Sequence, residues 1–271
     1  MKKFLTIILV LSIGLQLFGC STKTNDRNKE DSQKNLIVGM ELAYPPFEMT
    51  DENNNATGIS VDLAQELGKS LGRTVKIENM SFAGLIPALQ TKKIDIIISS
   101  MTITEERKKT IDFSDAYANS NLAILINKNS SVKKVEDLNV KGKKLAVKKG
   151  TTGHVYAEKN LPNCEVMVFD KESACVLEVT QGKADAFIYD QMTIYDSWKR
   201  NADTTRAELM PFQKDPEQWG IALRKEDSVL KGDINKFLKE FKGNGGFDKL
   251  AEKYLTEQKK TFKELGIPFF F

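Results

Sequence analysis

The 271-residue chain is long enough for two domains of ordinary size, and its formal net charge is only +3. Its lysines are scattered among acidic residues, which excludes the basic excess typical of nucleic-acid-binding proteins. No metal-ligand cluster, phosphate-binding loop or serine–histidine–acid set stands out, so neither a cofactor nor a bound metal is expected.

The N-terminus has the pattern of a lipoprotein export signal. Lys2 and Lys3 precede an apolar stretch at residues 4–18, which is shorter than the roughly 20 residues that span a bilayer. A small residue then precedes Cys20, which predicts a signal peptide over residues 1–19 and attachment of lipid, including palmitate, to Cys20. Removal of the two lysines lowers the net charge to +1. An uncleaved N-terminal membrane helix is the alternative.

Residues 20–35 are predicted to form a flexible tether behind the lipidated cysteine. Between residues 21 and 34 there is no aliphatic or aromatic side chain, only polar residues and charges of both signs. Such a segment buries too little surface to offset the entropy of ordering it. The folded part is therefore expected to begin near Leu36, and the protein to work outside the cytoplasmic membrane, either in a periplasm or at an exposed cell surface.

Strands and helices are predicted to alternate in the first part of the folded chain. In chain order the predicted elements are a strand at 36–40, a helix at 60–71, a strand at 75–77, a helix with an apolar stripe from residue 82 to 89, and a buried strand at 94–98. The second helix should begin near Ala83 or Gly84, because Pro87 lacks an N–H and is harmless only in a first turn.

A second series of elements repeats this order. It comprises a strand at 144–147, a helix after Thr151, a strand at 166–169, a helix at 173–181, a strand at 185–189 and two final helices at 230–241 and 247–255. Asp95 and Asp185 occupy similar places, each near the start of an apolar strand that follows a polar turn. Two similar α/β lobes, with polar residues at the carboxyl ends of their strands, place a binding crevice between them.

Cys164 and Cys175 are expected to remain unpaired. Cys164 lies at the start of a predicted strand and Cys175 in the first turns of the next helix, which runs in the opposite direction. Their Cα atoms should therefore be farther apart than the roughly 6 Å of a disulfide. A bridge, which an extracytoplasmic location permits, is the alternative.

From residue 36 to about residue 255 the chain resembles the family 3 extracellular solute-binding proteins, the amino-acid receptors of ABC importers. The motifs that carry the resemblance are AYPPFE at 43–48, GISVDL at 58–63, FAGLIPALQ at 82–90, MTITEERKK at 101–109, DFS at 112–114, KGTTG at 149–153 and the strand end at Asp190. Each motif alone is weak, but their order and spacing together are specific.

The resemblance implies an α/β, two-lobed periplasmic-binding-protein fold of type II, in which each lobe is a mixed sheet flanked by helices. Lobe 1 would comprise residues 36–118 and 219–271, and lobe 2 residues 119–218 together with the two hinge strands. The implied function is capture of a free polar or basic L-amino acid by closure of the cleft, and its delivery to the transmembrane permease subunits. The protein is expected to act as a monomer.

The resemblance also implies a site that makes physical sense for an amino acid. Arg107 would form two parallel bonds to the α-carboxylate, assisted by donors from Thr102, Thr151 and Thr152, the last two at a helix N-terminus. Asp190, on the other lobe, would accept the ammonium, so that only the closed form satisfies both ends of the ligand. From the residues alone, Arg107 can equally be a surface charge and Asp190 a helix cap.

The ligand's side chain would lie between the aromatic faces of Tyr44 and Phe82, although packing in the core is the alternative for both. Its far end would face Glu41, which suits a polar or cationic tail such as that of glutamine, histidine, lysine or arginine. Lys148 argues against strongly basic ligands, unless it points outward or pairs with Glu41. The remaining residues expected around this end are Ser99, Ser100 and Tyr189.

Two other classes of protein are alternatives on the same fold. A cyclohexadienyl dehydratase-like enzyme would share the carboxylate-binding arginine and need a catalytic carboxylate, for which Glu41 is the candidate. His154 follows the Thr-Thr turn and is expected at the surface rather than as a base. A sensory domain would need a downstream membrane span or signalling domain, and the sequence contains neither. The expected class is therefore a binding protein and not an enzyme.

Overall fold

The structure is a computed structural model that describes residues 35–271, which form two lobes joined by a pair of strands. The predicted signal peptide, Cys20 and nearly all of the tether lie outside the described residues. Within residues 35–271, no helix combines the length and apolar character that crossing a membrane requires.

Lobe 1 is built on a five-stranded sheet. In chain order its first elements are β1 (Asn35–Met40), β2 (Ala43–Tyr44), β3 (Glu48–Thr50), β4 (Ala56–Thr57), α1 (Ile59–Leu71), β5 (Thr74–Asn79), α2 (Phe82–Gln90), β6 (Ile96–Ile97), α3 (Glu105–Lys108) and β7 (Asp112–Phe113). The sheet has the order β5-β1-β6-β15-β7, in which β15 is Ala222–Leu223 from the end of the chain. β1 runs parallel to β5 and β6, whereas β15 is antiparallel to its neighbours.

Lobe 2 has a sheet of the same plan. Its elements are β9 (Leu122–Asn127), β10 (Lys144–Lys148), α4 (Thr152–Asn160), β11 (Glu165–Phe169), α5 (Glu172–Thr180), β12 (Ala186–Asp190), α6 (Gln191–Arg200) and β13 (Thr205–Glu208). The order is β11-β10-β12-β9-β13, with β10 parallel to β11 and β12 and β9 antiparallel to β12 and β13. The predicted repetition of an α/β unit is therefore confirmed.

The repetition extends to two aspartates. In lobe 1, Asp95 accepts a hydrogen bond from the Ile37 backbone N–H at 2.9 Å and forms ion pairs with arginines. In lobe 2, Asp185 accepts from the Lys144 backbone N–H at 2.9 Å and pairs with Lys143. Each aspartate thus joins the start of its own strand to the neighbouring parallel strand.

The two lobes are joined by a two-stranded antiparallel sheet of β8 (Ala118–Ser120) and β14 (Glu217–Trp219). The boundaries expected from the sequence, 36–118 with 219–271 and 119–218, run through this pair and stay a prediction. After β14 the chain returns to lobe 1 through β15 and ends in three helices, α7 (Ser228–Gly243), α8 (Gly246–Tyr254) and α9 (Thr256–Leu265).

Three expectations about local structure need correction. Helix α2 begins at Phe82, not at Ala83 or Gly84, and so contains Pro87 in its interior. Burial of its apolar stripe offsets the one helical hydrogen bond that the proline cannot make. The strand expected at 94–98 is regular only at Ile96–Ile97, although the backbone N–H groups of Asp95 and Ile98 also donate to carbonyls of β1. A third terminal helix, α9, was not expected, because Phe262 is its only buried residue and apolar periodicity is absent.

The cysteines and the C-terminal phenylalanines have structural roles. Cys164 and Cys175 are both free thiols, as predicted. The apolar C-terminus docks on lobe 1, where Phe270 packs against Phe47 and Trp219 with ring centroids 5.1 and 5.7 Å away. The Phe270 carbonyl also accepts a hydrogen bond from the Asn119 N–H of β8 at 2.8 Å. This tail therefore supports the strand pair that joins the lobes.

Candidate functional site

A cavity between the two lobes contains eleven of the twelve ligand-binding residues expected from the sequence. Lobe 1 contributes Glu41, Tyr44, Phe82, Ser99, Ser100, Thr102 and Arg107. Lobe 2 contributes Thr151, Thr152, Tyr189 and Asp190. Lys148 is the exception: it is buried behind the wall and does not line the cavity. The carboxyl ends of strands β1, β6 and β12 face this cavity, as expected for paired α/β lobes.

Arg107 lies where the two lobes meet. The short helix α3 positions it, and its own backbone N–H is capped by the Thr104 hydroxyl at 3.1 Å. One guanidinium nitrogen donates to the Thr102 carbonyl at 2.6 Å and the other to the Gly150 carbonyl of lobe 2 at 3.0 Å. The guanidinium also lies 5.5 Å from the centre of the Phe82 ring. Burial lowers the pKa of Arg107 to about 10, so the guanidinium remains charged at neutral pH.

Asp190 has one satisfied and one unsatisfied oxygen. Its Oδ1 accepts from the Thr193 N–H at 2.9 Å and caps helix α6, so the capping role considered from the sequence is confirmed. Its Oδ2 is buried and makes no hydrogen bond of normal geometry within residues 35–271, although the Tyr44 hydroxyl lies close enough to oppose the rise in the carboxyl's pKa. Burial is the largest effect on this carboxyl and raises its pKa. A buried, unpaired carboxylate oxygen at a cavity is a strong acceptor for a cationic donor.

The Thr151-Thr152 turn opens helix α4, and the Thr151 hydroxyl is bound within that turn. Thr151 is the N-cap: it donates to the Lys148 carbonyl at 2.8 Å and accepts from the His154 N–H at 3.4 Å. That hydroxyl proton is therefore used within the turn, and the expected role of Thr151 in ligand binding stays a prediction. Gly153 allows α4 to begin against strand β12, since a Cβ there would lie 2.9 Å from the Ile188 carbonyl oxygen.

Glu41 and Lys148 form an ion pair across the two lobes. The Lys148 ammonium donates to the Glu41 carboxylate and lies 3.5 Å from the Tyr189 hydroxyl. Lys148 is only 2% exposed, and the Glu41 backbone N–H donates to the Ser99 hydroxyl at 3.0 Å. Of the possibilities left open for Lys148, pairing with Glu41 is thus the one observed. The pair presents a neutralised carboxylate to the cavity.

Glu48 was not expected in the site, yet it lines the cavity. It lies on β3 and accepts hydrogen bonds from the hydroxyls of Ser60, Ser99 and Ser100 at 2.6, 3.4 and 3.1 Å. Burial raises its pKa to about 8, with the three hydroxyls opposing the shift. The sequence signal was an acid directly after an apolar Pro-Pro-Phe, but only the fold brings it to the serines that follow β6.

A pH-dependence follows from Glu48, whose pKa rises from an ordinary 4.5 to about 8 on folding. In this range the folded state holds a proton on Glu48 that the unfolded state releases. The free energy of unfolding should therefore fall as the pH rises from about 4.5 to 8, by up to about 1.4 kcal/mol per pKa unit. Glu48→Gln, a neutral isostere, should lose this slope. Thermal unfolding at pH 5, 7 and 9 should show the variant gaining stability relative to wild type as the pH rises. A constant difference across this range would contradict the assignment.

Four further lining residues belong to the connection between the lobes and were also missed. They are Ser120, Leu122, Glu217 and Trp219. Trp219 packs edge-on against Tyr44, with ring centroids 6.1 Å apart, and its backbone bridges to Thr102. No local pattern marks these residues: β8, which carries Ser120, and β14, which carries Glu217 and Trp219, lie about a hundred positions apart in the chain, and Leu122 begins β9.

The chain is similar to known proteins along most of its length. The model of bacterial extracellular solute-binding proteins, family 3, matches residues 36–257. The arginine-binding extracellular protein ArtP of Bacillus subtilis (strain 168) is 33% identical over 261 residues, covering 96% of this chain and all of that protein.

Two solved structures have similar folds. A mutant of ArgBP from T. maritima superposes with a TM-score of 0.76 at 43% identity, covering 84% of this chain and 98% of that one. An ancestral amino acid-binding protein, a precursor of cyclohexadienyl dehydratase, superposes with a TM-score of 0.75 at 37% identity, covering 84% and 99%. Both confirm the two-lobed type II fold. With a family match that spans most of its length, this chain belongs to the bacterial extracellular solute-binding proteins of family 3.

Proposed function

We propose that this protein is the substrate-binding component of an ABC importer and captures a free L-amino acid with a polar side chain. One observation carries the proposal: a guanidinium from lobe 1 and an unpaired carboxylate oxygen from lobe 2 line the same cavity. Arg107 and Asp190 are complementary to the two charges that every free amino acid carries. A ligand that lacks either charge would leave one buried group unpaired.

Lobe closure follows from the position of these groups. The α-carboxylate would be bound by Arg107 together with the hydroxyls of Thr102 and Thr152, and the α-ammonium by Asp190. Because these donors and acceptors belong to different lobes, the ligand has its full affinity only for the closed arrangement. The contacts of Arg107 with Gly150, and of Glu41 with Lys148, already connect the lobes in that arrangement.

The side-chain end favours a neutral polar tail. Lys148 already neutralises Glu41, so a cationic tail would add an unbalanced charge to a buried pair. An amide tail, as in glutamine, can donate to Glu41 without changing the charge of the site. Tyr44 and Phe82 would pack against the aliphatic part of such a side chain.

A cationic tail is the second candidate. ArtP and ArgBP are arginine-binding proteins by name, and both are similar to this chain along most of its length. In that case the ligand would displace Lys148 from Glu41 or share the carboxylate with it, while its guanidinium stacked on an aromatic ring.

We propose a binding role in preference to catalysis. His154, the one histidine of the chain, accepts from the Gly150 N–H at 3.3 Å and pairs with Glu158, and it does not line the cavity. The dehydratase precursor is itself described as an amino acid-binding protein. Glu41 is engaged by Lys148, which supports a structural use of that carboxylate.

The remaining features of the assignment rest on the sequence. We propose that Cys20 is lipidated after removal of residues 1–19, and that residues 20–35 tether the lobes to the membrane beside the permease. A monomer is sufficient, because one copy supplies both charged ends of the site.

A thermal-shift screen of the full-length protein, unfolded and refolded to remove bound ligand, tests this function. The panel contains the common L-amino acids, cystine, ornithine and a cyclohexadienyl acid. Glutamine should give the largest shift in melting temperature, because its neutral amide suits the charge of the site. A ligand at about 100 times its Kd adds roughly 2.7 kcal/mol of stability, which is enough for a clear shift. A larger shift with arginine would select the cationic candidate. A shift with the cyclohexadienyl acid alone would contradict the binding role.

Lys148→Met tests the neutralisation of Glu41. Without its partner, the buried Glu41 carboxylate should prefer a cationic tail, so the ratio of arginine to glutamine affinity should rise by about tenfold, equivalent to roughly 1.4 kcal/mol. Isothermal titration calorimetry with both amino acids measures this ratio. Lys149→Met, at the exposed neighbouring position, is the matched control. An unchanged ratio would show that Lys148 does not set selectivity.

A further inference from the structure

Glu217 lies at the junction between the lobes, on strand β14 of the two-stranded connection. Its carboxylate accepts from the Thr102 hydroxyl at 2.9 Å and from the Thr152 hydroxyl at 3.0 Å. Both bonds end on the same oxygen, Oε2, although Thr102 follows β6 in lobe 1 and Thr152 opens α4 in lobe 2. One carboxylate oxygen therefore links the two lobes directly.

The surroundings of this carboxylate match those expected for a ligand's carboxylate. Burial is the largest effect on the Glu217 carboxyl and raises its pKa, while both hydroxyls and the Arg107 charge oppose that shift. Conversely, Glu217 partly offsets the effect of burial on Arg107. Two hydroxyls from different lobes thus donate to a carboxylate that belongs to the chain itself and that lies in the field of the Arg107 charge.

We propose that the Glu217 carboxylate competes with the ligand's α-carboxylate for the hydroxyls of Thr102 and Thr152 when the lobes are closed, and that an incoming amino acid displaces it. This inference rests on the proposed function, in which the α-carboxylate is bound by Arg107, Thr102 and Thr152. A threonine hydroxyl has a single proton, so neither Thr102 nor Thr152 can donate to both carboxylates at once. Two carboxylates that both lie within hydrogen-bond distance of these hydroxyls, in a water-poor cavity, would also repel each other.

A second depression adjoins Glu217. This residue lines it together with Ile103 and Tyr156, and with Thr102, Arg107 and Thr152 of the cavity. A rotation toward this depression would return the carboxylate to water and release both hydroxyls for the ligand. Since β14 connects the lobes, exchange of the internal carboxylate for the ligand's carboxylate would take place at the hinge.

Removal of the Glu217 side chain should change the Kd of the amino acid in a direction that depends on its role. If the bonds of Glu217 exist only in the unliganded closed form, they stabilise the free protein but not the complex, and their removal must tighten binding. A residue that instead contacts the ligand, for example its ammonium, would weaken binding when removed. The sign of the change in Kd therefore separates displacement from direct recognition.

The test uses Glu217→Ala and Glu217→Gln in the full chain, with Asp215→Ala, at an exposed acid just before β14, as the matched control. Ligand-free Glu217→Ala should open, with a larger radius of gyration by small-angle X-ray scattering. Acetate should restore the compact form, because it supplies a free carboxylate, whereas chloride at equal ionic strength should not. Glu217→Gln keeps the side-chain shape. It takes the place of Glu217→Ala if circular dichroism shows that the alanine variant does not fold.

Calorimetry with glutamine and arginine gives the second readout. Glu217→Ala should bind the preferred amino acid about tenfold more tightly than wild type, as expected when hydrogen bonds to a charged group are lost from the free state alone. Asp215→Ala should match wild type. Weaker binding by Glu217→Ala, or an unchanged Kd and an unchanged radius of gyration, would overturn the inference.

The two proposals fail differently. If no amino acid binds to wild type or variants, yet acetate still closes Glu217→Ala, the internal carboxylate is supported and the assigned ligand is wrong. If wild type binds glutamine or arginine and Glu217→Ala is indistinguishable from it, the function stands and the displacement is wrong.

Discussion

Arg107→Ala is expected to weaken amino-acid binding by roughly 30- to 3000-fold while leaving the fold intact. Removing one partner of a buried, hydrogen-bonded charge pair costs about 2–5 kcal/mol, and each 1.4 kcal/mol is a tenfold change in Kd. The loss is large because the ligand's carboxylate would remain buried without its counter-charge. Calorimetry with the amino acid selected by the thermal-shift screen measures the effect.

The structural cost of this substitution should be small by comparison. Arg107 donates to the carbonyls of Thr102 and Gly150, so its removal loses two hydrogen bonds but creates no cavity in either core. Arg107→Lys keeps the charge and loses the planar fork, and should bind with intermediate affinity. Arg200→Ala, at an exposed position at the end of α6, is the control. Wild-type affinity in Arg107→Ala would remove the carboxylate assignment.

Asp190→Asn is expected to weaken binding to a similar degree without destabilising the protein. Asparagine is as good an N-cap as aspartate, so the bond to the Thr193 N–H is retained while the charge that faces the ligand is lost. Since burial disfavours the charged form of Asp190, as its raised pKa indicates, the neutral amide can even increase the free energy of unfolding. Asp190→Ala should lose both roles, with a further cost of about 1 kcal/mol from the missing cap.

A deaminated analogue sharpens this second test. Wild type should bind the amino acid far more tightly than the analogue, whereas Asp190→Asn should lose most of this preference, because the ammonium no longer meets a counter-charge. Asp196→Asn, on the same helix but away from the cavity lining, should behave like wild type. If Asp190→Asn still prefers the amino acid as strongly as wild type does, Asp190 is a cap and nothing more.

Local sequence patterns predicted most of the elements that form the two sheets. Apolar runs such as that of β1 and apolar stripes such as that of α1 need only the period of a strand or helix to be recognised. Where the pattern was weak, prediction failed: α9 buries a single residue, and β6 is a two-residue strand within a longer apolar run. The repeat marked by Asp95 and Asp185 was visible because each aspartate follows a polar turn and stands near the start of an apolar strand.

Motif order indicated most of the cavity, since residues such as Arg107 and Asp190 lie at the ends of elements that the sequence already defines. The hydrogen-bond and ion-pair partners of the charged cavity residues could not be predicted in this way. The pairing of Glu41 with Lys148, the three serine hydroxyls on Glu48 and the two threonine hydroxyls on Glu217 all join distant parts of the chain.

What the sequence by itself determined is therefore the alternation of strands and helices, because it follows from local periodicity, and, through the resemblance to a known family, the two-lobed fold and part of the charged groups at the cleft. Only the tertiary structure decided how those groups are paired. Pairing depends on which side chains lie within about 3 Å of each other once the lobes are closed, and hydrogen bonds and buried charges are sensitive to separations that no sequence pattern encodes.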